Sequence, residues 1–519
     1  MKKAIYLIIA LIGLSAPSCS DSMLDFSPTD SGSGKELLKS ASTAITSVNG
    51  VYRSMWTAGW STTANTHQCF GIAAYNLALD CMADDLIMQS QGNGCFWGDH
   101  CYNVKSNYTS SAFRSYDVWY ANYKWIANVN YIIDAEPEMA GTEADVAYVA
   151  GQAYAIRALC YLNLATWFSR APYNSLTGAS RWNEPCVPVY TTGTSIDTGG
   201  QPRESLRTVY GRIDQDIDRA IELLEKARET TLAENNKSHI NLYVALGIKS
   251  RACLAEGDWD GAFKAAKRVI DEGGYAVGTK SDLTGGMNSL DKQNVMWGAG
   301  IQVADQAGGY AGFFTHMDNK EGAYAKSAPK LISKQLYNRI SATDIRRDWW
   351  DPSDKESPYV SKKFSFANVA SFLGDYIYMR VEEMYFTAAE AALRLDDLKS
   401  ARELMNTVMA ERDPGYSANN RSGTLLGATT TTWTGSFLEN ILTHRRIELW
   451  GEYGRLFDVR RLGQGIDRRT DDGFSEECIS MMNRRNVNIT KADTYDWVLT
   501  IPKAELDANP NINEEDQNP

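Results

Sequence analysis

Long stretches of this chain repeat apolar residues every three or four positions, and this periodicity predicts helices. The clearest stretch covers residues 201–228, where Leu206 and Ile213 lie on an apolar stripe and charged residues fill the opposite face. Residues 142–168 are apolar on most sides, which predicts a central helix with Thr142 at its N-terminal cap. We therefore expect helices to dominate the fold.

Two other stretches each predict a pair of helices joined by a tight turn. The first pair, over residues 243–271, turns at Gly257, and Asp258 is a favourable N-cap. The second pair, over residues 378–412, turns at Asp396. The segment GDWDGAF in the first pair has tetratricopeptide character, because small residues let two helices approach while an aromatic fills the space beside them. Further helices are expected over residues 110–135 and 436–451. The expected fold class is mostly α, a scaffold of tetratricopeptide-like helix pairs.

Two long segments show no steady period, namely residues 56–110 and 274–375. Both contain glycines, tryptophans and other aromatic residues. Long irregular segments in a compact protein are usually functional. We therefore expect the ligand site on them.

The N-terminus is typical of an exported lipoprotein. Lys2 and Lys3 precede a short apolar run at residues 4–14, and small residues then lead to Cys19. We expect residues 1–18 to be a signal peptide, with Cys19 lipidated after cleavage. An ordinary signal peptide that happens to hold a cysteine is the alternative. Residues 19–40 would form a tether, and residues 41–519 a single domain.

Charge and composition exclude some partners. The net charge of −12 argues against nucleic acid and against an anionic membrane surface. After the signal, no stretch is long and apolar enough to cross a membrane. Four cysteines lie in the first irregular segment, where one or two disulfides are plausible in an exported protein. Their connectivity stays open; they are Cys69, Cys81, Cys95 and Cys101.

Six segments occur in a fixed order along the chain. They are Cys19 to Asp25, Trp119 to Ile133, Ala153 to Pro172, Arg380 to Ala391, Arg445 to Arg461, and Ile501 to Pro519. Together they resemble the SusD/RagB family of outer-membrane nutrient-binding lipoproteins. The resemblance implies a helical fold with four tetratricopeptide-like units. It also implies a surface-exposed location, a TonB-dependent β-barrel transporter (SusC-like) as partner, and capture of glycans or, in some members, peptides.

The charged residues of the fifth segment have a structural interpretation. Arginine side chains beside carboxylates usually lock a helix to its neighbours, so we favour that role over catalysis. Arg157 and Arg380 lie inside apolar patterns and need buried partners, for which Glu383 and Glu390 are candidates.

A sugar site needs flat aromatic rings with a few polar side chains beside them. The two irregular segments supply such residues, and the resemblance implies a glycan-lining loop at Cys95 to Asp99. The predicted ligand-binding residues are Trp60, Asn93, Trp97, Asp99, Tyr310, Phe313, Trp349 and Trp350.

Two rival functions compete with ligand capture. An enzyme would need a catalytic constellation, and the adjacent Asp84 and Asp85 do not form the facing pair of a glycosidase. A helical-repeat scaffold that binds only protein is the second rival. We expect no catalytic residue, no cofactor and no metal site, and a protein that captures oligosaccharide without altering it. RagB-like peptide capture is the closer alternative.

Overall fold

The fold is mostly helical, as expected. The computed structural model describes residues 34–59, 65–102, 113–195, 197–233, 236–302, 311–492 and 494–519. Within these ranges twelve helices have eight residues or more. They are α1 Ala41–Ser54, α2 Ile72–Met82, α3 Phe113–Ala135, α4 Glu143–Phe168, α5 Leu206–Lys226, α6 Leu242–Glu256, α7 Trp259–Glu272, α8 Val381–Arg394, α9 Leu398–Ala410, α10 Phe437–Glu448, α11 Arg455–Leu462 and α12 Glu476–Arg484.

Side-chain caps fix where several helices begin. The Thr142 hydroxyl accepts the Asp145 N–H at the start of α4, as the sequence predicted, and Asp258 accepts the Gly261 N–H at the start of α7. At α5 the predicted start is wrong: the helix begins at Leu206, because Ser205 caps it. The expected helix over 201–228 is therefore shorter at its N-terminal end.

The helices pack in succession along the chain. Helix α3 packs on α4, α4 on α5, and α5 on α6, after which α6 pairs with α7. Helix α7 then packs against α8, which pairs with α9 and also contacts α10. This succession of neighbouring helix pairs is the expected scaffold.

Six short strands complete the described part of the fold. They are β1 Leu86–Ile87, β2 Val295–Ala299, β3 Leu331–Ile332, β4 Trp350–Asp351, β5 Val360–Ser361 and β6 Tyr376–Arg380. One antiparallel sheet has the order β1-β3-β5-β4, and β2 pairs with β6 in a second. The helix predicted from residue 378 is therefore wrong at its start, because β6 runs to Arg380 before α8 begins.

The first irregular segment contains a helix that periodicity did not reveal. In α2, ten of the eleven residues are buried, and its polar side chains are limited to Asn76 and Asp80. So few polar positions give only a weak amphipathic signal.

Buried ion pairs hold the C-terminal helices together, which confirms the structural interpretation of the charged segment. The Glu448 carboxylate on α10 accepts hydrogen bonds from three guanidinium groups at 2.9–3.0 Å, those of Arg346, Arg380 and Arg412. Arg380 also pairs with Glu452, through Nε and Oε2 at 2.7 Å.

The partners expected for the two buried arginines are wrong. Arg157 pairs with Asp216 on the neighbouring helix α5, at 2.7 Å from Nε to Oδ2. Glu383 instead forms an ion pair with Arg251, and Glu390 forms an ion pair with Arg461. Helix packing, rather than the sequence pattern, decides which carboxylate reaches which arginine.

No helix in the described ranges is both long and apolar enough to cross a membrane.

Candidate functional site

Four of the six aromatic residues predicted to bind ligand lie in the described part of the chain, and all four are buried, so the expectation that these four rings are exposed is wrong. The exposed fractions are 3 % for Trp97, 8 % for Phe313, 3 % for Trp349 and 1 % for Trp350. Trp350 packs edge-on against Trp450, with ring centroids 5.7 Å apart. Rings packed on both faces leave no surface on which a sugar can stack. The physical reason is the size of the rings, because burying a large aromatic side chain in the core lowers the free energy of the folded protein more than leaving it in water does.

The two polar residues of the predicted set, Asn93 and Asp99, lie in different environments. Asp99 is buried and accepts two hydrogen bonds from Arg114, at 2.8 and 3.0 Å, so it is a structural anchor for the start of α3. Asn93 is exposed, and its side chain accepts the backbone N–H of Cys95 at 3.0 Å. Trp60, Tyr310 and Cys19 lie outside the described residues, and Asn93 stays a prediction.

A different region forms an open, aromatic cavity of about 440 Å³. We call it the tyrosine groove. It lies between one face of α3, the segment from Tyr190 to Thr198, and Glu505 near the C-terminus. Its lining residues are Trp119, Tyr120, Tyr123, Lys124, Ile126, Ala127, Tyr190, Thr194, Ser195, Thr198 and Glu505.

Spacing along α3 places the groove rings Trp119, Tyr120 and Tyr123 on one face, with Tyr116 next to them outside the lining. Tyr116 and Tyr120 are one turn apart, and their rings stack with centroids 5.4 Å apart at 15°. Trp119 and Tyr123 are likewise one turn apart, at 4.9 Å. Tyr116, Tyr120 and Tyr123 are partly exposed, whereas Trp119 is buried beneath them. The face therefore presents rings to solvent over a packed base.

The wall of the groove opposite α3 is formed by Tyr190, Thr194, Ser195 and Thr198. Hydrogen bonds to the backbone hold this wall in place. The Tyr123 hydroxyl donates to the Pro188 carbonyl at 2.8 Å. The Tyr161 hydroxyl accepts the Tyr190 N–H at 2.7 Å and donates to the Tyr190 carbonyl at 2.8 Å. Asn130 Nδ2 donates to the Thr192 carbonyl at 2.9 Å. Such contacts fix the wall before any ligand arrives, which lowers the ordering cost of binding.

Polar groups rim the groove. Lys124 Nζ lies 5.3 Å from the centroid of the Tyr120 ring. Glu505 accepts the indole N–H of Trp119 at 3.2 Å and the amide of Asn509 at 2.8 Å. Burial raises the pKa of Tyr123 well above its usual value, so its hydroxyl stays neutral at physiological pH. The groove thus offers rings, hydroxyls and one charge of each sign.

Such an arrangement suits the binding of a sugar. Sugars present apolar faces that stack on rings and hydroxyl edges that exchange hydrogen bonds. The lining holds one carboxylate, Glu505, whereas glycoside hydrolysis uses a facing pair.

Asp84 and Asp85, the adjacent acidic residues noted in the sequence, form ion pairs outside the groove. Arg446 and Arg455 contact both Asp84 and Asp85 at 2.5–3.1 Å, away from the groove lining. Burial opposes ionisation of Asp84, but the two guanidinium groups outweigh it and lower its pKa to about 2. A carboxyl held ionised and buried by arginines is a structural element.

Sequence reasoning missed the groove because it looked for the ligand site on the two irregular segments and not on a helix. The signal was present in the tyrosines, which recur at positions 116, 120 and 123 beside the buried Trp119. Tyrosine carries a hydroxyl, and an amphipathic aromatic face of this kind indicates a half-exposed surface.

The helical succession and the groove define the class of protein, a scaffold of helix pairs that carries an open aromatic groove. Two family models match the chain in separate parts. The model described as "SusD family" matches residues 326–519, and the one described as "Starch-binding associating with outer membrane" matches residues 72–254. No curated protein matches the chain significantly.

Solved structures of similar proteins cover almost all of the chain. A SusD-like carbohydrate binding protein from Bacteroides vulgatus ATCC 8482 is 25 % identical, with a TM-score of 0.72 over 92 % of this chain and 98 % of that one. A SusD superfamily protein from Bacteroides thetaiotaomicron VPI-5482 is 21 % identical, with a TM-score of 0.73 over 92 % and 100 %. The surface glycan-binding protein A from Bacteroides thetaiotaomicron, solved with laminarihexaose, is 16 % identical, with a TM-score of 0.61 over 91 % and 98 %. The chain belongs to the SusD/RagB family.

Proposed function

We propose that this protein is a non-catalytic, surface-exposed carbohydrate-binding lipoprotein of the outer membrane that captures oligosaccharide. The observation that carries the proposal is the tyrosine groove, in which partly exposed rings of α3 face a rigid wall with hydroxyl groups. Similar proteins support it, because one is a SusD-like carbohydrate binding protein and another was solved with laminarihexaose. The family model associated with the outer membrane supports the location.

Isothermal titration with defined glycans tests the binding. Laminarihexaose, maltoheptaose and a mixed pool of short peptides would each be titrated into the mature chain. We expect binding to at least one glycan, and weakening by about tenfold in Tyr120→Ala, because the change removes a stacking ring. Tyr385→Ala is the matched control, since Tyr385 is a partly exposed tyrosine outside the groove lining.

Each outcome of the titration bears on the proposal. Glycan binding that is unchanged in Tyr120→Ala would place the site elsewhere. Binding of the peptide pool alone would replace oligosaccharide capture by peptide capture. New products after prolonged incubation with a bound glycan would contradict the non-catalytic role.

We further propose that the captured sugar passes to a TonB-dependent, SusC-like transporter and that Cys19 anchors the chain by a lipid. Co-purification of the intact chain with a β-barrel partner from outer membranes tests the first point. Labelling with a fatty-acid analogue tests the second, and Cys19→Ser should abolish both the label and membrane retention. Retained label in that variant would contradict the anchor.

A further inference from the structure

Two buried thiols from distant parts of the chain meet beside a backbone carbonyl and a guanidinium group. Cys101 follows the short helix Trp97–His100 in the first irregular segment, and Cys478 lies in the first turn of α12. Both residues have an exposed fraction of 0 %. Although 377 positions separate them in sequence (478 minus 101), the fold brings them into contact.

The contact is fixed by several hydrogen bonds. Cys478 Sγ lies 3.6 Å from the carbonyl oxygen of His100, which belongs to the peptide bond joining His100 to Cys101. Arg468 Nη1 lies 3.7 Å from Cys478 Sγ and also donates to that same carbonyl. The Cys478 sulfur therefore lies beside the peptide bond that joins His100 to Cys101, which places the two thiols next to each other.

The surroundings hold this arrangement in place. Arg468 Nη2 donates to the carbonyls of Cys81 and Ala83, at 2.9 and 2.7 Å, so the guanidinium cannot move away from the pair without losing buried partners. The Ser475 hydroxyl accepts the Cys478 N–H at the start of α12 and fixes that helix end. Two other cysteines of the first irregular segment, Cys81 and Cys95, lie near the Lys330 ammonium.

We propose that Cys101 and Cys478 form a disulfide bond in the exported protein. The bond would tie the first irregular segment to the C-terminal helix α12. The cysteine pattern in the sequence left the partner of Cys101 open. This bond would give Cys101 a partner outside its own segment.

In the folded protein the two thiols differ in how readily they ionise. The hydrogen bond with Cys101 lowers the pKa of Cys478, and nearby His100 and Arg468 act in the same direction against desolvation. The same hydrogen bond and burial raise the pKa of Cys101.

The chemistry balances with a disulfide donor, which is either a protein of the export compartment or glutathione disulfide. During folding, the Cys478 thiolate attacks one donor sulfur and expels the other as a thiolate, which leaves a mixed disulfide. The Cys101 thiolate then attacks the Cys478 sulfur and expels the second donor thiolate. Two cysteine thiols are oxidised, and the donor gains two electrons and two protons.

The test refolds the mature chain in a glutathione redox buffer, blocks free thiols under denaturing conditions without reductant, and maps the peptides by mass spectrometry. We expect one cross-linked peptide pair that contains Cys101 and Cys478. We also expect the melting temperature of the oxidised protein to exceed that of the reduced protein by roughly 5 °C. Cys101→Ser and Cys478→Ser should lose that difference, whereas Cys95→Ser, a matched control at a half-exposed thiol, should keep it.

Blocked thiols at both Cys101 and Cys478 after refolding would overturn the proposal, as would a cross-link from Cys101 to Cys69, Cys81 or Cys95. Because the peptide map is made on the wild-type chain, a variant that fails to fold leaves this test intact. The refolding test needs neither the lipid anchor nor a glycan, so its failure is distinguishable from failure of the proposed function.

Discussion

The charged centre around α10 and the tyrosine groove on α3 use polar groups in opposite ways. Around Glu448, four cations and four carboxylates balance one another inside the core: Arg346, Arg380, Arg412 and Lys363 against Asp344, Glu382, Glu448 and Glu452. In the groove, neutral hydroxyls and partly exposed rings meet solvent. The charged centre is therefore buried and internally balanced, whereas the lining of the groove contains only Lys124 and Glu505 as charged residues.

The same contrast explains why the conspicuous charged motif is a poor guide to function. Three guanidinium groups donate four hydrogen bonds to the Glu448 carboxylate, two to each oxygen, so no lone pair remains free for a ligand or a proton transfer. Half-exposed tyrosines keep a ring face and a hydroxyl available. A change in the charged centre should therefore alter folding, and a change in the groove should alter binding.

Removing Glu448 should give the largest effect. Glu448→Ala leaves three buried arginines short of a counter-ion, and we expect the free energy of unfolding to fall by about 3–5 kcal/mol. Urea unfolding measures it. Glu403→Ala is the control, because Glu403 forms only an exposed pair with Lys399 at 3.8 Å and its loss should cost less than about 0.5 kcal/mol. A loss below about 1 kcal/mol in Glu448→Ala, which is the range of a surface pair, would break the comparison.

Acid should weaken the charged centre next. Burial opposes ionisation of Glu448, but Arg412, Arg380 and Arg346 outweigh it and hold its pKa well below the usual value. Because the folded pKa is depressed, the stabilisation is present above the unfolded pKa of about 4.3 and is lost as the pH falls toward the folded value.

Urea unfolding between neutral pH and pH of roughly 3 checks the sign of this acid dependence. Tyr120→Ala should show the same acid dependence as the wild type, because the groove contributes no buried carboxylate of this kind. Stability that rises on acidification would contradict the assignment.

A third prediction concerns Asp80, a buried carboxyl near the charged centre. Its Oδ1 accepts the Arg455 N–H at 2.6 Å, whereas Oδ2 has no hydrogen-bond partner in the described part of the chain. Burial raises the pKa of Asp80 to about 8. The stabilisation of a raised group is complete below its unfolded pKa and is lost as the pH rises toward the folded pKa.

Asp80→Asn should remove the loss of stability at rising pH, because the amide oxygen still accepts the Arg455 N–H and the amide does not ionise. We expect the variant to be more stable than the wild type at pH 7 by about 1–3 kcal/mol, with the gain vanishing near pH 4. Thermal unfolding at the two pH values measures the difference. A variant that is less stable at pH 7 would show that Asp80 is ionised and satisfied.

The smallest effect should come from Tyr120→Phe in the groove. The ring remains and only a solvent-facing hydroxyl is lost, so we expect the glycan dissociation constant to change by less than about threefold and stability to stay the same. Isothermal titration beside Tyr120→Ala separates the ring from the hydroxyl. A loss as large as that of the alanine variant would mean that the hydroxyl, not stacking, carries the contact.

The sequence determined the helical scaffold and the family. Periodicity and caps at Thr142 and Asp258 act over a few residues, so they are readable without the fold. The ordered segments along the chain likewise predicted the SusD/RagB family, which is confirmed. The structural role of the charged segment around Glu448 could also be inferred, because eight charges within a few turns require partners.

Only the tertiary structure decided which side chains are exposed and which charges meet. Trp97 and Trp350 look like loop aromatics in sequence, but packing from distant segments buries them, whereas Tyr120, on a helix where no ligand site was expected, is partly exposed. Arg157 finds Asp216, and Cys101 meets Cys478, through contacts between segments far apart in the chain. Exposure and pairing depend on these long-range contacts, and a local pattern contains no information about what packs against it.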